Sequence, residues 1–176
     1  MTLPLTLRPA KSSDAASLAA LSIEIWIGTY LREGVSSFFA DFALQTFTIE
    51  NLSAQISDPN EIVIVSENIK GLDGYLRLSR ASAAPVSGCA DLEISTLYVQ
   101  PRHHGKGIGA ALLRAAITEA RALRVPSLWL TTNAENAPAI AFYQAKGFAK
   151  IGETHFKIKD ERYLNDVLRL DLPPQS

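Results

Sequence analysis

Apolar and polar positions change their period several times along the chain, and each change marks an element. LTLRPA, residues 5–10, alternates as a strand does, its side chains taking opposite faces in turn. KSSD then supplies a turn and a helix cap. From Asp14 to about Tyr30, Leu18, Leu21 and Ile25 recur at helical spacing, with Trp26 and Tyr30 beside them. Gly34 and VSSFFADFALQTF predict a break and a second short helix, and TIENLSAQIS a third, closed by the turn residues DPN. EIVIVSE is rich in β-branched residues and predicts a strand, NIKGLDG a turn, and YLRLSR an alternating strand. A loop of small residues, ASAAPVSGCA, leads to the strand DLEISTLYV.

The helix expected from Gly107 to about Arg124 places Leu112, Leu113, Ala116, Ala120 and Leu123 on one face. SLWLTT reads as a short buried strand, and NAPAIAFYQAKG as a helix ended by Gly147 at its C′ position. The strands FAKIGETHFKI and NDVLRLDL close the chain before a polar tail, PPQS. The order is β-α-α-α-β-β-β-α-β-α-β-β, a mixed α/β domain over residues 1–172 with a tail at 173–176. Helices joining the fourth, fifth and sixth strands predict parallel crossovers around the fourth and fifth, and tight turns predict antiparallel pairs elsewhere.

Composition narrows the function classes. The 176 residues are 47% hydrophobic and 20% charged, ordinary for a soluble domain with a sizeable core. A formal net charge of −1 supports neither a nucleic-acid nor an anionic-membrane surface, since both need concentrated basic charge. Cys89 is the one cysteine, so no intrachain disulfide or thiolate zinc cluster is available, and it reads as an inert loop residue. The N-terminal stretch lacks a secretory pattern, and no apolar run reaches the roughly 18 residues of a membrane span. A cytoplasmic location is expected.

The chemistry concentrates in LYVQPRHHGKGIGAALLRAAI, residues 97–117. A strand running into a glycine-rich turn and a helix N-terminus presents unpaired N–H groups, which suit phosphate; a plain strand-to-helix connection is the other reading. Gly105, Gly107 and Gly109 fit neither the dinucleotide spacing nor a Walker loop. Downstream, TTNAENAPAIAFYQAKGF at residues 131–148 again passes from a strand end into a helix. Asn136 fits its N-cap and Pro138 its first turn, with Phe142 and Tyr143 about two turns in.

Together the two stretches resemble the GNAT superfamily of acyl-CoA-dependent N-acetyltransferases. LYVQPRHHGKGIGAALL is similar to its pyrophosphate-binding motif and NAPAIAFYQAKGF to its second motif, and the element order matches over nearly the whole chain. The resemblance implies a central mixed, partly splayed sheet of about seven strands flanked by helices. The family loop, usually Gln/Arg-x-x-Gly-x-Gly/Ala, puts His104 where Gln or Arg is customary, followed by Gly107 and Gly109; Arg102, Gly105 and Gly107 satisfy the pattern literally but shift the helix start. LSIEIWIGTY, DLEISTLYV and GFAKIGETHFKIKDERYLNDVLRLDL further resemble the Pai-type spermidine/spermine N-acetyltransferases.

That resemblance implies acetyl-CoA as co-substrate, no metal, and a primary-amine acceptor, a polyamine such as spermidine first. Main-chain groups of Leu97, Tyr98 and Val99 would hold the pantetheine arm, and His104, Gly105, Lys106, Gly107, Ile108, Gly109 and Ala110 the pyrophosphate. Asn136 would bond the pantetheine, cap its helix, or do both. An amine of the lysine kind has a pKa near ~10 and must lose a proton before it attacks. Glu93 is the first candidate for that general base, with Asp91 a weaker one; either could instead hold a cation. Tyr143 occupies the position of the family's general acid.

Trp26, Thr29 and Tyr30 end the first helix, where acceptor-binding residues are common in the superfamily, and core packing is their other reading. His155 and Phe156 read as an ordinary strand face near the acceptor side. His103, His104 and His155 are too scattered for a metal site. Protein or peptide amines, an amino-sugar antibiotic, or a non-catalytic coenzyme-A sensor are the alternative functions, and a homodimer is a common assembly in the superfamily.

Overall fold

The computed structural model describes residues 4–174; residues 1–3 and the last two positions of the predicted tail, Gln175 and Ser176, lie outside it. The order predicted from the pattern holds: β1 (Thr6–Pro9), α1 (Ala15–Tyr30), α2 (Ser37–Thr46), α3 (Ile49–Ser57), β2 (Glu61–Asn68), β3 (Gly71–Arg80), β4 (Leu92–Val99), α4 (Ile108–Ala122), β5 (Ser127–Asn133), α5 (Ala137–Ala145), β6 (Ala149–Ile158) and β7 (Glu161–Asp171). Short 3-10 turns at Ser12–Asp14 and Pro101–His103 complete it. The seven strands form one mixed sheet in the order β1-β2-β3-β4-β5-β7-β6, flanked by helices. β4 and β5 are parallel, as the crossover helix requires, and β7 is antiparallel to both β5 and β6. The chain divides into two compact units, Met1–Leu78 with Thr96–Ala115 and Ser79–Ser95 with Ala116–Ser176.

In the first unit the apolar face of α1 meets α3 and the sheet. Ala15, Leu18, Leu21, Ile25, Leu52, Val65 and Tyr75 form its buried core, and burying each large aliphatic side chain contributes about 1.5–3 kcal/mol. Tyr75 brings a hydroxyl into that core, which needs partners. Ser22 Oγ donates to the Leu18 carbonyl at 2.7 Å, so at 2.6 Å the Tyr75 hydroxyl must donate to Ser22 Oγ. Burial pushes the Tyr75 phenol up. Asn51 Nδ2 donates to the carbonyls of Gln45 and Thr46 while Thr48 caps α3, which fixes the short link from α2.

Two local expectations differ from the structure. Asp14 makes no side-chain cap on α1; its carboxylate takes a two-pronged bond from Arg8 at 2.8 and 3.0 Å and another from the Lys11 N–H. NIKGLDG is also less of a turn than its glycines suggest. Only Ile69 and Lys70 separate β2 from β3, and Gly74 lies inside β3. A Cβ on Gly74 would sit 2.8 Å from the Tyr98 carbonyl oxygen, so this glycine serves a close backbone approach.

In the second unit β5, β7 and β6 pair along nearly their full lengths, and Leu128, Leu130, Val167 and Leu168 are buried. α5 ends in a Schellman turn: Gly147 has φ +96°, its N–H bonds the Gln144 carbonyl, and the Phe148 N–H bonds the Tyr143 carbonyl. The 81–91 loop is fastened to this sheet. Arg169 donates to the Gly88 carbonyl at 2.9 Å, the Ala90 N–H donates to Ser127 Oγ at 3.0 Å, and Val86 lies over Gly152, where a Cβ would come within 2.8 Å of it.

Candidate active site

The glycine-rich stretch belongs to the first unit, where it joins β4 to α4. After Val99 the chain makes the 3-10 turn at Pro101–His103, then passes Gly105 and Gly107 with φ of +77° and +84°. Both values lie in the left-handed region that penalises a Cβ, and both α-carbons face open space. Gly109 is not left-handed; it lies in the first turn of α4. The first helical bond runs from the Ala111 N–H to the Gly107 carbonyl at 3.0 Å. The N–H groups of Ile108, Gly109 and Ala110 therefore precede the ladder and have no acceptor within the helix. These donors, at the positive end of a helix dipole, suit a diphosphate.

The His104 ring meets the end of β4. Its Nε2 lies 2.9 Å from the Val99 carbonyl oxygen, which can only accept, so Nε2 carries a proton and the ring braces the loop against the end of β4. Lys106 Nζ donates to His103 Nδ1 at 3.3 Å, a second brace within the loop. Arg102 is exposed. Leu97, Tyr98 and Val99 are half-buried on β4, and the Tyr98 ring packs edge-on against Tyr75 at 5.7 Å. Gly74 allows β3 to approach the Tyr98 carbonyl, while Ile108 and Leu112 crowd the same point from α4.

The first unit also holds the aromatic end of α1. Trp26 is buried, with Tyr30, Phe39 and Phe42 rings at 5.4, 5.9 and 5.1 Å, and Tyr30 is the exposed member. Thr29 bonds back to the Ile25 carbonyl, a local helix contact.

The second unit carries Glu93, Asn136 and Tyr143. Glu93 is half-buried and pairs with Trp129 in the parallel β4–β5 ladder. Ser82 Oγ donates to Glu93 Oε2 at 2.7 Å. Two residues along the same face, Ser95 bonds the Ser79 hydroxyl. Asp91 is exposed, and its carbonyl accepts from the Ser82 N–H. Asn136 caps α5, its Oδ1 accepting from the Ala139 N–H at 3.3 Å. Tyr143, not Phe142, is the buried member of the aromatic pair on α5, with the Phe142 and Phe148 rings at 5.2 and 5.4 Å. His155 and Phe156 are exposed on β6. Burial pushes the Cys89 thiol up, which opposes thiolate reactivity. Among the described residues no group of His, Cys, Asp or Glu has metal-holding geometry, and no helix is long and apolar enough to cross a membrane.

Sequence reasoning missed Gly74 and Ser82. Gly74 carried a glycine signal that was assigned to a turn, and Ser82 sits in a loop of small residues with no pattern to single it out.

Comparison with known proteins adds to this geometry. Residues 27–148 match the acetyltransferase (GNAT) family. An uncharacterized N-acetyltransferase of Mycobacterium tuberculosis (strain H37Rv) is 25% identical over 146 residues, 83% of this chain and 90% of that protein. The N-alpha-acetyltransferase RimI of the same organism is 24% identical over 151 residues, covering 86% and 82%. In fold, the chain is similar to the PaiA N-acetyltransferase of Thermoplasma acidophilum, solved in complex with coenzyme A, at a TM-score of 0.77 and 18% identity, over 97% of this chain and all of that one.

Proposed function

This chain belongs to the acetyltransferase (GNAT) family and is an acetyl-CoA-dependent N-acetyltransferase, and we propose that it acetylates the primary amine of a polyamine such as spermidine by direct attack in a ternary complex. Bound acetyl-CoA supplies the acetyl group as an activated thioester. In this reading, residues 1–172 act as a single acetyltransferase domain. The N–H groups of Ile108, Gly109 and Ala110 bind the diphosphate, with Gly105, Gly107 and Lys106 shaping the loop and His104 holding it to Val99. The main chain at Leu97, Tyr98 and Val99 takes the pantetheine, and Asn136, which caps α5, is a further partner for it.

Glu93 removes the proton that would otherwise leave the amine without a lone pair, and the Tyr143 hydroxyl gives a proton to the departing sulfur. The observation that carries the polyamine reading is the aromatic end of α1. Trp26, flanked by Phe39 and Phe42, backs an exposed Tyr30, and aromatic faces attract ammonium groups by about 0.5–2 kcal/mol each. The kinship with an N-alpha-acetyltransferase favours a peptide N-terminus as a second acceptor.

Thiol release should be followed with acetyl-CoA against spermidine, spermine, N-terminal peptides and aminoglycosides. Turnover on spermidine with little on peptides is expected; the reverse preference overturns the polyamine assignment. Coenzyme A binding with no turnover on any amine marks a sensor. Tyr143→Phe should lower kcat by about 100-fold while leaving acetyl-CoA binding within about twofold, and equal losses of both refute the acid role.

A further inference from the structure

The 81–91 loop places one hydroxyl on the carboxylate that the reaction needs, and the rest of the loop is arranged around that placement. At the end of β3, Ala81 adopts φ +53°, a left-handed conformation that a residue with a Cβ takes at a cost of about 1–2 kcal/mol. The turn it makes brings Ser82 back toward β4, where its N–H bonds the Asp91 carbonyl and its Oγ reaches Glu93 Oε2 at 2.7 Å. Farther along, the loop is held at Val86 by Gly152, at Gly88 by Arg169 and at Ala90 by Ser127. Strain in a non-glycine residue persists where surrounding contacts over-determine it, and those contacts are present here.

We propose that Ser82 is a positioning residue for Glu93: its hydroxyl holds Oε2 and so presents Oε1 as the oxygen that receives the proton of the acceptor amine. This rests on the reading of Glu93 as the general base. An ionised carboxylate only accepts hydrogen bonds, so the hydroxyl proton lies on Ser82 and points at Oε2. A carboxylate without that anchor rotates about its last two torsions, and a base displaced by about 1 Å loses up to about 100-fold in rate.

The test is a double-mutant cycle on the full chain, with acetyl-CoA and the best amine from the acceptor panel, or with n-butylamine at high concentration. Glu93→Gln should lower kcat by about 100-fold or more. Ser82→Ala should lower kcat by about tenfold with KM for acetyl-CoA within about twofold, and Ser82→Thr, which keeps the hydroxyl, should restore most of it. In the Glu93→Gln background, Ser82→Ala should have no further effect, because the group it positions is gone. Equal tenfold losses in both backgrounds overturn the role of Ser82 and leave Glu93 as base. An unchanged kcat in Glu93→Gln overturns the base itself, and the proposal with it. Should Ser82→Ala lose the fold, as read by its melting curve, Ser82→Cys takes its place as the weak-donor variant.

Discussion

Gly74→Ala tests whether the arm of β4 and the start of α4 are set by one close contact. The added Cβ would lie 2.8 Å from the Tyr98 carbonyl oxygen, 3.2 Å from Ile108 Cγ2 and 3.4 Å from Leu112 Cδ1. A comfortable contact is roughly 3.5 Å, and a strand carbonyl cannot rotate aside as a flexible side chain can. Either β4 retreats at Tyr98 or the first turn of α4 gives way, and both carry groups assigned to the coenzyme. Overpacking of this kind costs about 1–3 kcal/mol, offset by about 0.4–1 kcal/mol from the stiffer unfolded chain. A net loss of about 1–2 kcal/mol should lower the melting temperature by roughly 3–6 °C in a chain of this size. Coenzyme A affinity, read by calorimetry, should weaken about fivefold or more. Gly28→Ala is the control: it lies within α1 with nothing near its missing Cβ, so the same substitution there should stabilise by about 0.5–1 kcal/mol. Gly74→Ala melting at or above the wild-type temperature with unchanged coenzyme A affinity would refute the reasoning.

Gly107→Ala meets no atom but must hold φ +84°, so melting should fall by about 2–6 °C while coenzyme A binding weakens about tenfold, both read on the same sample. His104→Ala removes the brace to Val99, worth about 0.5–1.5 kcal/mol; KM for acetyl-CoA should rise about three- to tenfold with kcat within about twofold. The hydrogen bond from Arg8 holds Asp14 below the usual carboxylate range, so its folded value lies under its unfolded one. Its stabilisation is then fully present above about pH 4 and is lost as pH falls through and below that value. Urea midpoints should drop between pH 5 and pH 3, and Asp14→Asn should show a smaller drop from a lower starting stability.

What the sequence made legible is what its neighbours in sequence determine. The period of α1, the β-branched run of β2 and the C′ glycine of α5 each declare themselves within a few residues, and the structure keeps them at Ala15–Tyr30, Glu61–Asn68 and Gly147. The strand–glycine–helix connection after β4 was legible for the same reason, because its parts are contiguous. Its three glycines nonetheless divide: Gly105 and Gly107 answer a backbone requirement, while Gly109 leaves the first turn of α4 without a side chain beside its free donors. Contacts between distant segments were not legible. A glycine that admits a neighbouring carbonyl is indistinguishable in sequence from one that turns the chain, so Gly74 was read as part of a turn.

KSSD was read as a turn and helix cap, yet its Asp14 carboxylate goes to Arg8 and to the Lys11 N–H rather than to α1, and a paired guanidinium bond is stronger than a single N–H. Ser82 and Glu93 lie 11 positions apart, joined only after the chain leaves β3 at a strained Ala81 and returns along β4. A candidate base can therefore be found by its place in a motif, but what aims it must be sought across the loop that precedes its strand. If that is the general situation in this chain, exchanging residues within the 81–91 loop should alter kcat more than coenzyme A affinity, whereas exchanges within 104–110 should do the opposite.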